Sequence, residues 1–265
     1  MKLQTFVFLA VPICLAGWLQ AQVSAPKLGV VRYADGTVRP IYGIEANFIV
    51  GKQMLPIADA VSFSDFGGLV AANGRIQLVG VRGALVAEYN AHERKPLLNI
   101  DQDLTTAIVY LPSREALLRW NGKSFVLIQL TRGSFPGTVT SVQAMGAHAA
   151  KLLMTTRDGN VSELTMSLDT GQLTSVKFLP GIEGPAFLHH AFVLFRGKHG
   201  FEVEAPDGSR RTISVAPKDL TIDQMSSDWL HLTSSTTKQD WALQLNGSTL
   251  QLSELPGAPA QEVER

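Results

Sequence analysis

The chain has 265 residues, which is enough for one large all-β domain or two small ones. Lysine and arginine together number 23, aspartate and glutamate also number 23, and the formal net charge at pH 7 is therefore zero. This balance gives no electrostatic basis for binding nucleic acid or an anionic membrane, so we predict neither as a partner. The single cysteine, Cys14, lies near the N-terminus, so the rest of the chain must be stabilised without disulfide bonds.

The N-terminal segment has the pattern of a signal peptide. Lys2 supplies a positive charge, Phe6 to Gly17 is apolar, and small residues follow at Ala21 and Ala25. The apolar run is short for a bilayer span, which needs about 20 residues. We therefore predict a signal peptide over residues 1–25, cleaved after Ala21 or Ala25. The mature protein is then secreted, periplasmic or on the cell surface, without stable membrane insertion, and a cysteine-free chain suits a bacterial envelope.

The first predicted element after this segment is a hairpin, Gly29–Tyr42, followed by a short strand, Asn47-Phe48-Ile49-Val50. Pro40 lies in the second strand of the hairpin. Because proline has no N–H to donate, we expect this strand at a sheet edge. The segment predicts the outer part of an incomplete structural unit.

Five longer units follow, each rich in alternating apolar and polar residues. In Phe201-Glu202-Val203-Glu204-Ala205, for example, the alternation predicts a strand with one buried face. Each unit predicts one four-stranded blade, although Thr105–Leu130, the shortest, has room for as few as three strands. The remaining residues, 256–265, predict a disordered tail. The units are Ala60–Tyr89, Thr105–Leu130, Val139–Phe178, Ala186–Val215 and Leu220–Leu255.

Asn-Gly or Asp-Gly pairs recur six times, at spacings of 38, 48, 37, 49 and 39 residues. This dipeptide is typical of type I′ hairpin turns. The spacing becomes regular if two pairs lie one hairpin early, in which case the last hairpin of each unit turns at Gly36, Gly83, Gly122, Gly171, Gly208 and Gly247. A period of about 40–45 residues with four short strands is typical of radially repeated sheets.

These repeats resemble β-propeller repeats of the WD40, YVTN and quinoprotein-like kind. The turn Ser167-Leu168-Asp169-Thr170-Gly171-Gln172-Leu173 is similar to that of quinoprotein blades, although no Trp-Asp signature is present. The resemblance covers residues 28–255 and implies an exported bacterial propeller-like protein. We expect an all-β propeller of about six blades: five full antiparallel four-stranded blades and the N-terminal hairpin.

The links between units offer one paired-carboxylate hypothesis. Gly43-Ile44-Glu45 and Gly181-Ile182-Glu183 each follow a predicted outer strand. If both are the same blade-to-blade corner, Glu45 and Glu183 lie on one face near the central opening. Two carboxylates there could act as acid and base or hold a cation. The alternative is that both glutamates are simply part of a repeated turn and have no functional role.

Other candidate chemistry is sparse in the sequence. His189-His190 is a tempting metal-binding pair, but adjacent strand residues point to opposite faces, so we predict a structural role. Asp101-Gln102-Asp103 lacks the third oxygen ligand and the glycine of a calcium loop. No nucleophile elbow, phosphate loop or zinc-protease motif is present. We predict no catalytic residues, no metal and no cofactor.

The predicted radial repetition leaves exposed loop faces and therefore favours a non-catalytic binding or scaffolding protein that recognises a peptide, protein or glycan through its loop face. The side chains expected there, besides Glu45 and Glu183, are Phe48, His92, Phe135 and His189. The charged run Ala91-His92-Glu93-Arg94-Lys95 is interpreted as a solvated loop. Two alternatives stay open. One is an enzyme, either a glycan hydrolase or lyase or a quinoprotein-like enzyme, with ionisable groups converging on the axis. The other is a component of an envelope assembly with an apolar patch.

Overall fold

The computed structural model describes residues 25–44, 47–102, 104–131, 135–197, 200–213, 219–247 and 249–259. Within these ranges the regular structure is β-strand, together with a 3-10 turn at Pro112–Arg114. The prediction of an all-β chain is confirmed. The predicted signal peptide, apart from Ala25, and the predicted tail beyond residue 259 lie outside the described residues.

The chain begins with a three-stranded antiparallel sheet, in the order β1 (Lys27–Arg32), β2 (Val38–Ile44) and β3 (Asn47–Val50). The predicted edge position of Pro40 is wrong, because Pro40 lies in the middle strand. Its carbonyl accepts a hydrogen bond from Gly51 N at 2.8 Å, just beyond β3. In an antiparallel strand the N–H and C=O of one residue point to the same neighbour. The missing N–H therefore faces the end of β3, and the pairing with β1 is intact.

Antiparallel sets of four strands make up the rest of the described chain. The first set is β4 (Ala60–Ser64), β5 (Gly67–Ala72), β6 (Arg75–Gly80) and β7 (Leu85–Asn90). The second is β8 (Leu97–Ile100), β9 (Ala107–Leu111), β10 (Ala116–Trp120) and β11 (Phe125–Gln129). The third is β12 (Thr138–Met145), β13 (Ala149–Thr155), β14 (Asn160–Ser167) and β15 (Leu173–Glu183). The fourth is β16 (Ala186–His189), β17 (Phe192–Gly197), β18 (Gly200–Glu204) and β19 (Arg210–Ile213). The last is β20 (Leu220–Gln224), β21 (Trp229–Ser234), β22 (Asp240–Asn246) and β23 (Thr249–Glu254).

The second set corrects one sequence prediction. The blade has four strands, but its first strand, β8, lies before the predicted start of the unit at Thr105, within the predicted link. Leu97–Ile100 is only four residues long and follows a charged run, so it has too few alternations to show a period. Its inner position is decided by packing between β4 and β12.

The sets stand side by side around an axis, as blades of a propeller. The first strand of each set is innermost, and β4 contacts β8, β8 contacts β12, and β12 contacts β16. The first and last sets meet through one parallel residue pair, Gln224 with Ser62, and together form an eight-stranded sheet. The N-terminal sheet packs between these two sets: Val30 and Val38 contact the first set, and Val31 and Ile41 contact the last.

The apolar core is divided into layers between neighbouring sheets. Fully buried side chains such as Leu152 and Leu117 fill one layer, Leu118 and Leu69 another, and Leu243 a third. Because the sheets pack face to face, inner strands such as β5 and β9 are buried along nearly their whole length. The outermost strands β7, β15 and β19 are largely exposed.

The predicted turn positions are confirmed in all but the first unit. Asn73-Gly74 and Asp158-Gly159 turn one hairpin early, and the last hairpins turn at Gly83, Gly122, Gly171, Gly208 and Gly247. Gly36 instead joins β1 to β2, the first hairpin of its sheet.

The predicted turn type holds for one pair and is wrong for others. Asn73 and Gly74 both have positive φ (51° and 74°), as a type I′ turn requires. In Asp207-Gly208 only the glycine is left-handed, and Gly208 N donates to Ala205 O at 2.9 Å. This is a type I turn closed by a left-handed glycine, and Gly36 and Gly159 make the same bond to the residue three positions earlier.

Candidate functional site

A recess of about 780 Å³ lies at the axis of the ring. It opens at the end of the ring where the innermost strands begin, and its lining includes residues from the starts of β4, β8, β12, β16 and β20. The links that lead into these strands converge at this end. We call this end of the ring the upper face and this recess the axial cavity.

The axial cavity carries more positive than negative side chains, although the whole chain is neutral. Its cationic residues are Arg32, Arg94, Lys95 and Arg196, and its acidic residues are Asp59 and Asp223. Arg32 and Asp223 form a salt bridge at 3.0 Å, with only 15% and 10% of their side chains exposed. Among the described residues, no ion pair is formed by Arg94, Lys95 or Arg196. Arg94 and Lys95 lie on the link between β7 and β8, Arg196 lies on β17 of the fourth set, and all three are exposed to an anionic ligand.

Glu93 holds the link that carries Arg94 and Lys95. Its buried carboxylate accepts hydrogen bonds from Ser113 Oγ at 2.6 Å and Ser113 N at 2.9 Å, and from Arg94 N at 3.0 Å. Burial of Glu93 acts to raise its pKa, but the bonds from Ser113, Lys95 and Arg94 outweigh burial and lower the pKa. An ionised Glu93 therefore ties the link to the Pro112–Arg114 turn and positions both cations at the rim.

The floor of the axial cavity is a polar network between innermost strands. Gln224 Oε1 accepts hydrogen bonds from Ser62 Oγ at 3.0 Å and from Asn99 Nδ2 at 3.2 Å. Gln224 Nε2 donates to Ile100 O at 3.2 Å, and Asn99 Oδ1 accepts from Ala144 N at 3.0 Å. These contacts join β20, β4, β8 and β12, so the axis is closed by satisfied polar groups below an open mouth.

The walls between rim and floor are aliphatic and phenyl groups. Leu97, Phe187 and Ile222 are half-buried and line the cavity, and Leu194 is fully buried behind them. A recess with apolar walls and a few placed charges has the general make-up of a ligand site.

A second recess of about 750 Å³ adjoins the axial cavity on the upper face. Both recesses are lined by Thr140, Gly184 and Pro185, so they are adjacent and share one wall. Phe135 and Arg157 lie only in the second recess. Phe135 is held edge-on against Tyr110, with ring centroids 6.3 Å apart.

Three of the six predicted site residues lie at the upper face, one of them Glu183, which directly precedes Gly184 of both recess linings. Phe135 lines the second recess, and His92 is exposed in the link that carries Arg94. The backbone N–H of His92 donates to Gly74 O at 2.7 Å. Phe48 instead packs with the cluster of Val31 and Ile41.

The two predicted carboxylates are not brought together among the described residues. Glu45 lies outside them, and Glu183 is exposed at the end of β15 and lines neither recess. Gly43-Ile44 ends the middle strand of the N-terminal sheet, whereas Gly181-Ile182 lies in the outermost strand of the third set. The two tripeptides are therefore not the same corner.

His189 lies at the opposite end of its strand from the axial cavity. It is 2% exposed. Burial, and to a smaller extent the charge of the nearby His190, lower the pKa of His189 to about 3, so its imidazole is neutral. The expectation that His189 and His190 diverge is wrong. His190 has φ of 52°, which turns its ring back to 4.4 Å from that of His189. His190 Nε2 contacts Ser227 O at 2.6 Å, and the described residues contain no cluster of three metal-ligating side chains.

The rim cations are the functional candidates that the sequence analysis missed. Arg94 and Lys95 stand in the charged run that we interpreted as a solvated loop, and their side chains are indeed exposed. Their convergence with Arg196, about a hundred residues away, follows from the ring arrangement. The signal in the sequence that pointed to these cations was the charged run itself, because it lies in a link between two predicted units.

Comparison of the sequence with family models and with curated proteins finds no match. Solved structures do match over most of the chain. A structure of a nidogen–laminin complex has a TM-score of 0.57 at 15% identity, covering 85% of this chain and 92% of that chain. The β-propeller domain of Cps50 (Swd1) from Myceliophteria thermophila has a TM-score of 0.50 at 9% identity, covering 88% of each chain.

The fold is a β-propeller. A structure of a putative TolB from Agrobacterium tumefaciens is similar as well, with a TM-score of 0.50 at 12% identity, covering 80% of this chain and 86% of that chain. The resemblance seen in the repeats is thereby confirmed at the level of fold. In the part of the propeller that the structure describes, no helix has the length and apolarity needed to span a bilayer.

Proposed function

We propose that this propeller is an exported, non-catalytic binding or scaffolding protein that holds a partner at the axial cavity of its upper face. The observation that carries the proposal is the convergence of Arg94, Lys95 and Arg196 on one recess without ion-pair partners among the described residues. Unpaired cations around apolar walls attract and orient an anionic ligand, and their charge raises the rate of association.

The titratable groups of the axial cavity favour binding over catalysis. Asp223 is engaged by Arg32, which leaves Asp59 as the one carboxylate of the described lining outside a salt bridge, and that lining includes no histidine, cysteine, tyrosine or glutamate. Nucleophilic catalysis needs a nucleophile beside a base, and Ser141, the serine of the lining, instead accepts a hydrogen bond from Leu188 N at 3.0 Å.

Export is proposed from the sequence pattern of residues 1–25, with its positive start, apolar run and small residues before two candidate cleavage points. The test is N-terminal sequencing of the mature protein from a bacterial envelope fraction. Export predicts a chain that starts at Gln22 or at Pro26. A cytoplasmic protein that keeps residues 1–25 contradicts it.

We further propose that the ring has six blades, of which the N-terminal sheet is one without an innermost strand. Its two faces pack against the first and last four-stranded sets, as a blade between them would. The missing inner strand explains why β20 and β4 meet directly at Gln224 and Ser62. An experimental structure with the N-terminal sheet elsewhere contradicts this assignment.

The binding proposal is tested by affinity capture from the native envelope fraction, in parallel with a glycan array. The bait is the wild-type protein beside R94Q/K95Q/R196Q and a control of equal charge change, R82Q/K123Q/K177Q, whose residues line neither recess. We expect one partner to be enriched by wild type and control but lost with the cavity variant. Equal capture by all three baits, or turnover of any polysaccharide, would overturn the proposal.

A further inference from the structure

We infer that the occupant of the axial cavity is an extended peptide segment of a protein partner, in which acidic and apolar side chains alternate, and that it continues into the second recess. The inference rests on the proposed function, namely that the axial cavity binds a partner. It adds the chemical class of the ligand and the path that the ligand takes across the upper face.

The path follows from the wall that the two recesses share. Thr140, Gly184 and Pro185 line both, so a chain that leaves the axial cavity over this wall enters the recess beside Phe135. Gly184 packs tightly on Thr155 at this wall, because a Cβ on Gly184 would lie 2.2 Å from Thr155 Oγ1. An extended chain can occupy both recesses, whereas a compact ligand would fill one recess alone.

The acidic character follows from the distribution of charge along this path. Arg94 and Lys95 lie on the link before β8, Arg196 lies near the end of β17, and Arg157 lines the second recess. Among the described residues none of these four side chains forms a salt bridge. Guanidinium groups pair with carboxylates in a planar, two-bond geometry, which suits aspartate and glutamate side chains.

The apolar walls favour a peptide over an acidic glycan. Between the rim cations the axial cavity presents Leu97, Phe187 and Ile222, and the described lining of either recess holds no tryptophan or tyrosine. Aliphatic walls bury the apolar side chains of a peptide through the hydrophobic effect, whereas a sugar ring would leave its hydroxyl groups without hydrogen bonds there. In an extended peptide alternate side chains point to opposite sides, so carboxylates can face the rim while apolar groups face the walls.

The test is fluorescence anisotropy of the full mature chain with labelled peptides at low and at physiological ionic strength. The probe is Glu-Leu-Glu-Leu-Glu-Leu-Glu-Leu, with the corresponding Lys-Leu peptide and the short Glu-Leu-Glu as comparisons. We expect the Glu-Leu probe alone among the long peptides to bind. We expect R94Q/K95Q/R196Q to lower the affinity for the Glu-Leu probe about tenfold at low salt. The control R82Q/K123Q/K177Q should change this affinity less than about twofold.

The second recess is tested separately with R157Q, an exposed position whose change leaves the axial cavity intact. We expect R157Q to lower the affinity for the long Glu-Leu probe about threefold and to leave the affinity for the short peptide unchanged. Equal weakening of both lengths would contradict the continuous path.

The outcomes also separate this inference from the proposed function. If affinity capture of a partner depends on the rim cations but the Glu-Leu probe does not bind, the peptide class is wrong and the proposed function stands. Binding of polygalacturonate that displaces the probe and depends on the same cations would likewise overturn the peptide assignment. If capture does not depend on the rim cations, the proposed function itself fails.

Discussion

Buried polar side chains determine much of this molecule at the scale of single residues. Glu93 bridges a link and a turn, Gln224 joins innermost strands at the axis, and His189 is neutral beside His190. Polar groups of this kind are tolerated in a core when they are hydrogen-bonded or uncharged. Substitution of such a residue is therefore expected to change the free energy of unfolding in a way that substitution of an apolar residue would not.

His189 is expected to make the protein less stable in mild acid. Its pKa is lowered to about 3 in the folded chain, whereas an imidazole in the unfolded chain titrates near 6.5. Between these values the unfolded state binds one more proton, so stability falls as the pH falls through this window. From pH 7.5 to pH 5.0 we expect wild type to lose about 2 kcal/mol more than His189→Gln.

Urea unfolding at the two pH values measures this difference. The control is His92→Asn, at an exposed histidine whose left-handed backbone asparagine tolerates. It should behave as wild type does. A His189→Gln variant with the same pH dependence as wild type would contradict the assignment.

Glu93 gives a second acid-sensitive contribution at lower pH. Its pKa is lowered, so its contribution is complete above the pKa of an unfolded glutamate and is lost as the pH falls through the folded-state pKa. Glu93→Gln places an amide N–H₂ where backbone and Ser113 donors already point, and we expect a loss of about 1–3 kcal/mol at pH 7. The loss should shrink at pH 3, as measured by thermal or urea unfolding.

A matched control for Glu93 is Glu88→Gln, whose carboxylate pairs with Arg75 on an exposed outer strand. It should change stability by less than about 1 kcal/mol. If both variants unfold alike at pH 7, Glu93 does not hold the cavity link.

At the scale of elements, the hairpin turns show how backbone conformation follows from residue type. The positions of the turns were predictable because glycine adopts positive φ without a steric cost. The turn type was less predictable, since Asp35, Asp158 and Asp207 stay out of the left-handed region and only their glycines enter it. The loop length, set by strand register, decides between the two geometries.

Two glycine variants test this difference. At Gly208, φ is 81° and an added Cβ would meet nothing within 4 Å. Gly208→Ala should therefore lower the free energy of unfolding only by the cost of holding alanine in a left-handed conformation, about 1–2 kcal/mol. At Gly74, φ is 74° and the Cβ would lie 3.3 Å from His92 Cα. We expect Gly74→Ala to be the more destabilising of the two in urea unfolding. The opposite order would contradict the close approach of the cavity link to this turn.

Strand β8 and Pro40 show where element prediction fails. Leu97–Ile100 is too short for a visible alternation, and its strand state depends on neighbours far along the chain. Pro40 is excluded from a central strand by local reasoning, yet its missing N–H faces the end of a short partner. Both errors come from using local pattern where strand pairing decides.

At the scale of the whole molecule, ring closure depends on contacts between the first and last four-stranded sets. Gln224 is 5% exposed and receives hydrogen bonds from Ser62 and Asn99. Gln224→Ala leaves both groups buried without this partner, and we expect a loss of about 2–4 kcal/mol with a lower urea m-value, because the ring then opens before it unfolds.

Thr221→Ala, at an exposed position on the same strand, is the control and should change stability by less than about 0.5 kcal/mol. Native-state hydrogen exchange gives a second measurement. Faster exchange confined to β4 and β20 in Gln224→Ala supports the closure role. Uniform faster exchange throughout the ring contradicts it.

The sequence by itself determined the strand content, the places where the chain turns and the repeat that produces radial sheets. These depend on alternation, on glycine and on the few residues that favour turns, which act over a few positions. The tertiary structure decided the inner position of β8, the pairing of His189 with His190, and the meeting of Arg94 and Lys95 with Arg196. These relations join residues whose separation along the chain says nothing about their distance in space until the sheets close around the axis.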